Sequence, residues 1–195
     1  MGIYKLSGAG GLISGRTEYK SMNAGNQYGA MVPIASTTLT SAANVALYNI
    51  PQTYQDLMIV VSARGTNSGT TESLVSEWTY ATQYSSTYLI GDGSSATSTR
   101  DTAQYGAQPY IPGGASTSGT FGSVVFHILN YANTTTSKTM ITRVASDRNG
   151  AGFTQLIATL RSGTLPVNFF EIGGSNAVLA IGTSITIYGI RAVSS

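Results

Sequence analysis

The 195-residue chain contains no cysteine. Disulfides, thiolate ligands and thiol nucleophiles are therefore excluded, and the redox state of the compartment leaves no mark on the sequence. Histidine occurs once, so any metal ion would rely on oxygen ligands. Charged residues make up 9% of the chain, against about 25% in ordinary soluble domains. Long apolar runs are missing too. No stretch approaches the ~18 residues of a membrane span, and no N-terminal apolar segment of about 7–15 residues follows a basic cap, so neither a membrane protein nor a signal peptide is expected. Stability has to come from packing and strand pairing.

Serine, threonine and glycine take the place of the missing charge. Neutral, hydroxyl-rich surfaces resist close approach less than charged ones, which suits a protein packed among copies. The net charge of +2 is unevenly placed. Residues 1–30 carry Lys5, Arg16 and Lys20 against Glu18, and the remaining seven basic residues balance seven acidic ones. An excess this small does not direct the chain to nucleic acid or to a membrane surface. At this length one domain with one core is expected, burying about 70% of its unfolded surface.

Residues 1–30 are punctuated by seven glycines, with Ile3, Tyr4, Leu6, Leu12, Ile13 and Met22 scattered between them. Glycine at that density disfavours helix and strand interiors alike. The stretch reads as an extended N-terminal arm that orders on a partner, with those six apolar residues as its anchoring pegs. Residues 31–195 read as the body. The period-2 alternation at Asp56 to Arg64 is the strongest strand signal in the first half, and Val45 to Tyr48 and Leu74 to Ala81 are further strands. Residues 82–120 read as a long irregular loop containing a short strand at Tyr88 to Ile90. Strands follow at 122–131, 138–146, 152–160 and 167–172. The last, in residues 182–193, alternates Ile185 and Ile187 with Thr186 and Tyr188 and is expected to pair centrally, joining the start of the body to its end. No helical periodicity of useful length occurs. The expected fold is all-β: an antiparallel, jelly-roll-like β-sandwich.

Catalytic constellations are weak. His127 sits within an apolar strand, and the nearest approach to a nucleophile elbow, Gly173-Gly174-Ser175-Asn176-Ala177, lacks its last glycine. Asp92-Gly93 lacks the spaced carboxylates of a calcium loop. Glu72, Glu77, Asp92 and Asp101 would serve sugar hydrolysis only if they converged in a groove. Gly8-Ala9-Gly10-Gly11 is not a dinucleotide loop, since no strand precedes it and Ile13 replaces the last glycine. No cofactor, metal site or catalytic residue is assigned, and the chain reads as non-enzymatic. The one enrichment that suits recognition is aromatic: Trp78, Tyr80, Tyr84, Tyr88, Tyr105 and Tyr110 fall in or beside the middle loop. There they would stack on a glycan, line a subunit contact, or cover the loop against the sandwich.

Three segments carry a resemblance. Ile50-Pro51-Gln52-Thr53-Tyr54-Gln55-Asp56-Leu57, leading to Arg64, is similar to an "IP-x-x-Y-x-x-L" opening. Ile128-Leu129-Asn130-Tyr131 with Thr134 to Lys138 resembles "I-x-N-Y-x-x-T-x-x-K". Gly182 to Arg191 resembles a terminal "G-S-x-x-x-L-Y-G-I-K/R". All three occur in structural proteins of tailed-bacteriophage virions, and together they cover residues 37–193. The resemblance implies a tail or neck fibre or head-decoration β-sandwich located in the virion, often a homotrimer, with no catalytic residues to carry over. Such fibre proteins often run longer, so a leader of some thirty residues suggests a protein held close to the particle. The expected partners are further copies of the chain and other virion proteins, with a host surface glycan as the alternative.

Overall fold

The computed structural model describes residues 3–7, 31–78, 84–102 and 105–191. Thirteen strands are present and no helix occurs among the described residues. In chain order they are β1 Ile3–Ser7, β2 Met31–Thr38, β3 Asn44–Tyr48, β4 Asp56–Ala63, β5 Thr71–Glu77, β6 Tyr84–Gly91 and β7 Ala96–Asp101. The rest are β8 Tyr110–Pro112, β9 Gly122–Ile128, β10 Lys138–Asp147, β11 Gly152–Arg161, β12 Phe169–Gly174 and β13 Ser184–Ile190. An eight-stranded sheet, ordered β2-β13-β4-β9-β10-β11-β6-β7, lies against a five-stranded sheet, ordered β1-β3-β12-β5-β8. The chain changes sheet at most connections, the winding of a jelly-roll-like sandwich. Every pairing is antiparallel except that of β1 with β3.

The core follows from alternation. On β4, Leu57, Ile59, Val61 and Ala63 are buried while Met58, Val60 and Ser62 lie half-exposed on the far face. Val124, Phe126 and Ile128 of β9, Met140 and Val144 of β10 and Ile185 and Ile187 of β13 extend the same inner face. From the smaller sheet Val45, Leu47, Leu74, Phe170 and Ile172 meet them, with Phe126 edge-on to Phe170 at 5.2 Å between centroids. β13 is interior, held by β2 on one side and β4 on the other, so the last strand clasps the first strand of the body. β2 was hidden in the sequence because Pro33 argues against a ladder. Pro33 sits on an edge strand where the register slips between Ile187 and Tyr188, a place that tolerates a missing donor.

The segments expected from resemblance meet in one corner. The Tyr131 hydroxyl donates to the Pro51 carbonyl and accepts from the Tyr54 amide at 3.4 Å. Gln55 donates from its amide to the Ile190 carbonyl at 2.7 Å and from its side chain to Asn130. Asn130 holds φ 48°, a left-handed conformation that asparagine tolerates, and its amide donates to Asp56 Oδ1 at 2.8 Å. Gly189 is required because a Cβ there would enter the Tyr54 ring. Gly182, at φ 86°, turns the chain into β13 and donates to the Leu39 carbonyl.

Two sequence expectations need correction. Residues 82–120 hold the β6–β7 hairpin and β8 rather than one irregular loop. The leader is not wholly an outlying arm either, for β1 runs parallel along β3, with Ile3 opposite Asn44 and Ser7 opposite Tyr48. Ile3, Tyr4 and Leu6 therefore belong to a strand of the smaller sheet. Leu12, Ile13 and Met22 lie outside the described residues.

Gly189→Ala is expected to cost about 2 kcal/mol through the forced displacement of Tyr54, lowering Tm by about 4–8 °C in a domain of this size. A melt within about 1 °C of the parent, far less than the shift expected for such a displacement, would show that the ring is not seated on the glycine.

Candidate functional site

Three regions bear on function: the aromatic middle, a carboxylate cleft on the smaller sheet, and the outer face of the larger one. The aromatic residues do not form a platform. Trp78 and Tyr84 are buried, their rings 5.7 Å apart between centroids, and Tyr88 is buried beside them in the same core. Tyr110 is half-buried, edge-on to Phe153 at 5.2 Å. Only Tyr105 is well exposed, and Tyr80 lies outside the described residues. The expected sugar-stacking or subunit-contact role of Trp78, Tyr84 and Tyr88 is thus corrected: they fill the space under the β6–β7 hairpin, where no ligand reaches them.

The four acidic residues considered together stay apart. Glu72 is buried, and its Oε1 accepts from the Ser73 amide, the Ser175 hydroxyl and the Asn176 amide at 3.0–3.3 Å, fixing the loop after β12. Asp92 closes the β6–β7 turn. Hydrogen bonds from the Ser94 and Ser95 amides, then from the Ser94 hydroxyl, hold its carboxyl at about 2. Asp101 ends β7 opposite Ser86. Glu77 instead lies directly across the ladder from Glu171. Burial, and secondarily the Glu171 charge, push its carboxyl above the ordinary glutamate value. Asn44, Tyr105, Gln108 and Ser175 complete a cleft of about 370 Å³ around this pair. Glu171 was missed in the sequence, although the alternation of Phe170, Glu171 and Ile172 is the signal that turns it outward.

His127 is on the outer face, not in the core, with Nε2 3.5 Å from Asp56 Oδ2. Among the described residues no hydroxyl is hydrogen-bonded to it, so no nucleophile–base pair is assembled. Arg64 and Arg148 are structural. The Arg64 guanidinium donates to the carbonyls of Gly114, Ser116, Thr117 and Thr120 at 2.7–3.0 Å, and Arg148 donates to the Thr70 carbonyl while lying over Phe153. Lys138 and Arg161, buried cross-strand neighbours, donate to the carbonyls of residues 136 and 163–165. Burial, then the neighbouring cation, lowers the Lys138 pKa. Half of the ten basic residues of the chain are Arg64, Arg148, Lys138, Arg161 and the His127 neighbour's outer-face companion Arg143. All but Arg143 are spent on the molecule's own loops.

The outer face of the larger sheet is where the surface departs from what a solvated sandwich needs. Antiparallel sheets that face water alternate apolar-in with polar-out. Here one cross-strand row reads Thr186, Val60, Val125, Arg143, Leu156, Leu89, and the next reads Tyr188, Met58, His127, Ile141, Ala158, Thr87. Leu89 and Leu156 are about half exposed, at 53% and 49%. Comparison with protein-family models, curated proteins and solved structures finds no match.

Two outcomes are expected. Trp78→Ala should cost about 3–5 kcal/mol in chemical denaturation, as loss of a buried aromatic does; an equally stable variant that merely lost a surface activity would contradict its burial. Because the folded-state pKa of Glu77 is raised, its contribution is present below the unfolded value of 4.5 and is lost as pH rises through the folded value. Glu77→Gln should therefore raise Tm at pH 7 and flatten the loss of stability from 4.5 upward; an unchanged profile would contradict the raised pKa.

Proposed function

We propose that this chain is a non-enzymatic structural component of a tailed-phage virion, a head-decoration or neck or tail-fibre protein that self-associates through its sandwich and joins the particle through its N-terminal region. The observation that supports it best is the exterior. Four of the ten basic residues, Arg64, Lys138, Arg148 and Arg161, are turned to internal loops, leaving a hydroxyl-rich surface and an apolar sheet face, a combination suited to burial among other subunits. The three motif resemblances point the same way, and their residues have structural work at the corner, as a scaffold protein requires.

A second reading, a carbohydrate-binding module of a phage fibre, is favoured by one feature: exposed Tyr105 beside Gln108, Glu77 and Glu171 in the cleft of the smaller sheet. A glycan array would register it as binding that Tyr105→Ala removes.

Deleting residues 1–30 removes β1 while leaving all of β2–β13. The shortened chain should keep its β-sheet circular dichroism and its oligomeric state but fail to enter particles assembled in infected cells, as read by mass spectrometry of purified virions. Undiminished incorporation contradicts the anchoring role.

A further inference from the structure

β10 and β11 are joined by the turn Arg148-Asn149-Gly150-Ala151, beyond the last ladder pair of Asp147 with Gly152. Asn149 has φ 66° and Gly150 φ 102°, and two central residues at positive φ are what a two-residue type I′ hairpin turn needs. No other asparagine of the chain precedes a glycine. Both residues are exposed. The Asn149 carboxamide and the Gly150 amide make no hydrogen bond among the described residues, and a Cβ on Gly150 would meet nothing within 4 Å. The other asparagines are followed by residues with side chains, and several are held. The Asn67 carboxamide donates to the Thr71 carbonyl at 2.8 Å and accepts from the Gly114 amide at 3.3 Å. Asn133 Oδ1 accepts from the Thr135 and Thr136 amides at 2.7 and 2.9 Å. Asn49, also at positive φ, is followed by the branched and buried Ile50.

We propose that Asn149 is a site of spontaneous covalent modification, deamidation through a cyclic imide, chiefly to isoaspartate. The Gly150 amide gives up its proton to hydroxide, and its nitrogen bonds to Asn149 Cγ. The bond from Cγ to the side-chain nitrogen breaks, and that nitrogen leaves as ammonia with a proton from water. Water then opens the ring. Attack at Cγ yields aspartate with the chain restored, whereas attack at the backbone carbonyl carbon of residue 149 leaves the chain running through Cγ as isoaspartate. Water is the only co-reactant, and no electrons are exchanged. Glycine matters because the nitrogen must swing toward Cγ by rotation about ψ of residue 149, and glycine brings no Cβ into that path. Hairpin tips open at little cost, and at this neck the Arg148 amide donates to the Ala151 carbonyl at 2.8 Å. The product alters the turn in length and in charge. Isoaspartate adds a methylene to the backbone, which a two-residue turn of fixed geometry does not absorb. A carboxylate also replaces a neutral amide at an end of the sheet where Asp92, Asp147 and Gly150 already border one depression. Arg148, next in the chain, is committed to Thr70 and Thr71.

The full chain, held folded in mildly alkaline buffer and sampled over days, tests this by peptide mapping with a fragmentation method that separates aspartate from isoaspartate. A synthetic peptide of residues 145–155 incubated alongside gives the rate without the fold. Asn149 should convert before any other asparagine, mostly to isoaspartate, at a rate within about tenfold of the peptide's, as a readily opened hairpin tip implies. Conversion of another asparagine first, or a slowing in the folded chain beyond that, would overturn the assignment by showing that the turn holds the nitrogen away from Cγ. The converted protein, separated from the parent by its added negative charge, should exchange the Arg148 amide faster while the amides in the middle of β10 keep their rates. An unchanged Arg148 rate would overturn the opening of the turn. Asn149→Asp is the control for charge alone: its Arg148 amide should exchange as in the parent, because aspartate also tolerates positive φ.

Discussion

The ring of Tyr54 lies on Gly189, its amide meets the Tyr131 hydroxyl, and that hydroxyl donates onward to the Pro51 carbonyl. Through these contacts the turn into β4, the end of β9 and the end of β13 are fastened at one point. β13 is the strand most in need of fastening, because it enters last in sequence yet sits inside the sheet between β2 and β4. A strand in that position forms long-range contacts only, so it bears the loop-closure entropy of almost the whole body. A phenol that both donates and accepts, over a glycine that leaves room for an aromatic face, supplies a compact lock where backbone pairing alone would be interrupted by the chain leaving the sheet.

Much of this was legible in the sequence, for a physical reason. Sheets with one face buried impose strict alternation, and Leu57, Ile59 and Val61 or Ile185 and Ile187 display it openly. The same logic placed β9 to β12 within a few residues. Where it failed, a second constraint had intervened. Pro33 disguised β2, since only knowledge of the edge and its bulge excuses the missing donor. In β6 and β7 serine and threonine are frequent and β7 buries no residue, so the hairpin resembled a loop until Asp92 was seen capping its turn through Ser94 and Ser95. For Trp78 the sequence left glycan stacking, a subunit contact and cover of the loop against the sandwich all open, because composition cannot show which side of a thin loop faces the core; its burial agrees with the last.

The candidate sites were less legible still, because each depends on pairing between distant strands. Glu77 and Glu171 are ninety-odd residues apart in sequence but adjacent across one ladder. The outer face is the same case enlarged: Val60, Val125, Leu156 and Leu89 come from four strands, and none of them looks unusual until register sets them in one row. Scarce charge, by contrast, was evident from composition, and the structure shows where it goes. Arg64 and Arg148 bind loop carbonyls, and Lys138 and Arg161 do so from buried positions. Asp92, Arg100, Arg143 and Asp147 remain exposed.

The central claim, that the Tyr54, Tyr131 and Gly189 corner locks the closing strand into the body, is tested most directly by native-state amide hydrogen exchange on the parent and on Tyr131→Phe. The account predicts that the amides of β4, β9 and β13 exchange last and together, through global unfolding, and that loss of the hydroxyl lowers all of them by the same amount, about 1–2 kcal/mol. Exchange of β13 well before β10 and β11, or a loss confined to residues beside position 131, would contradict it.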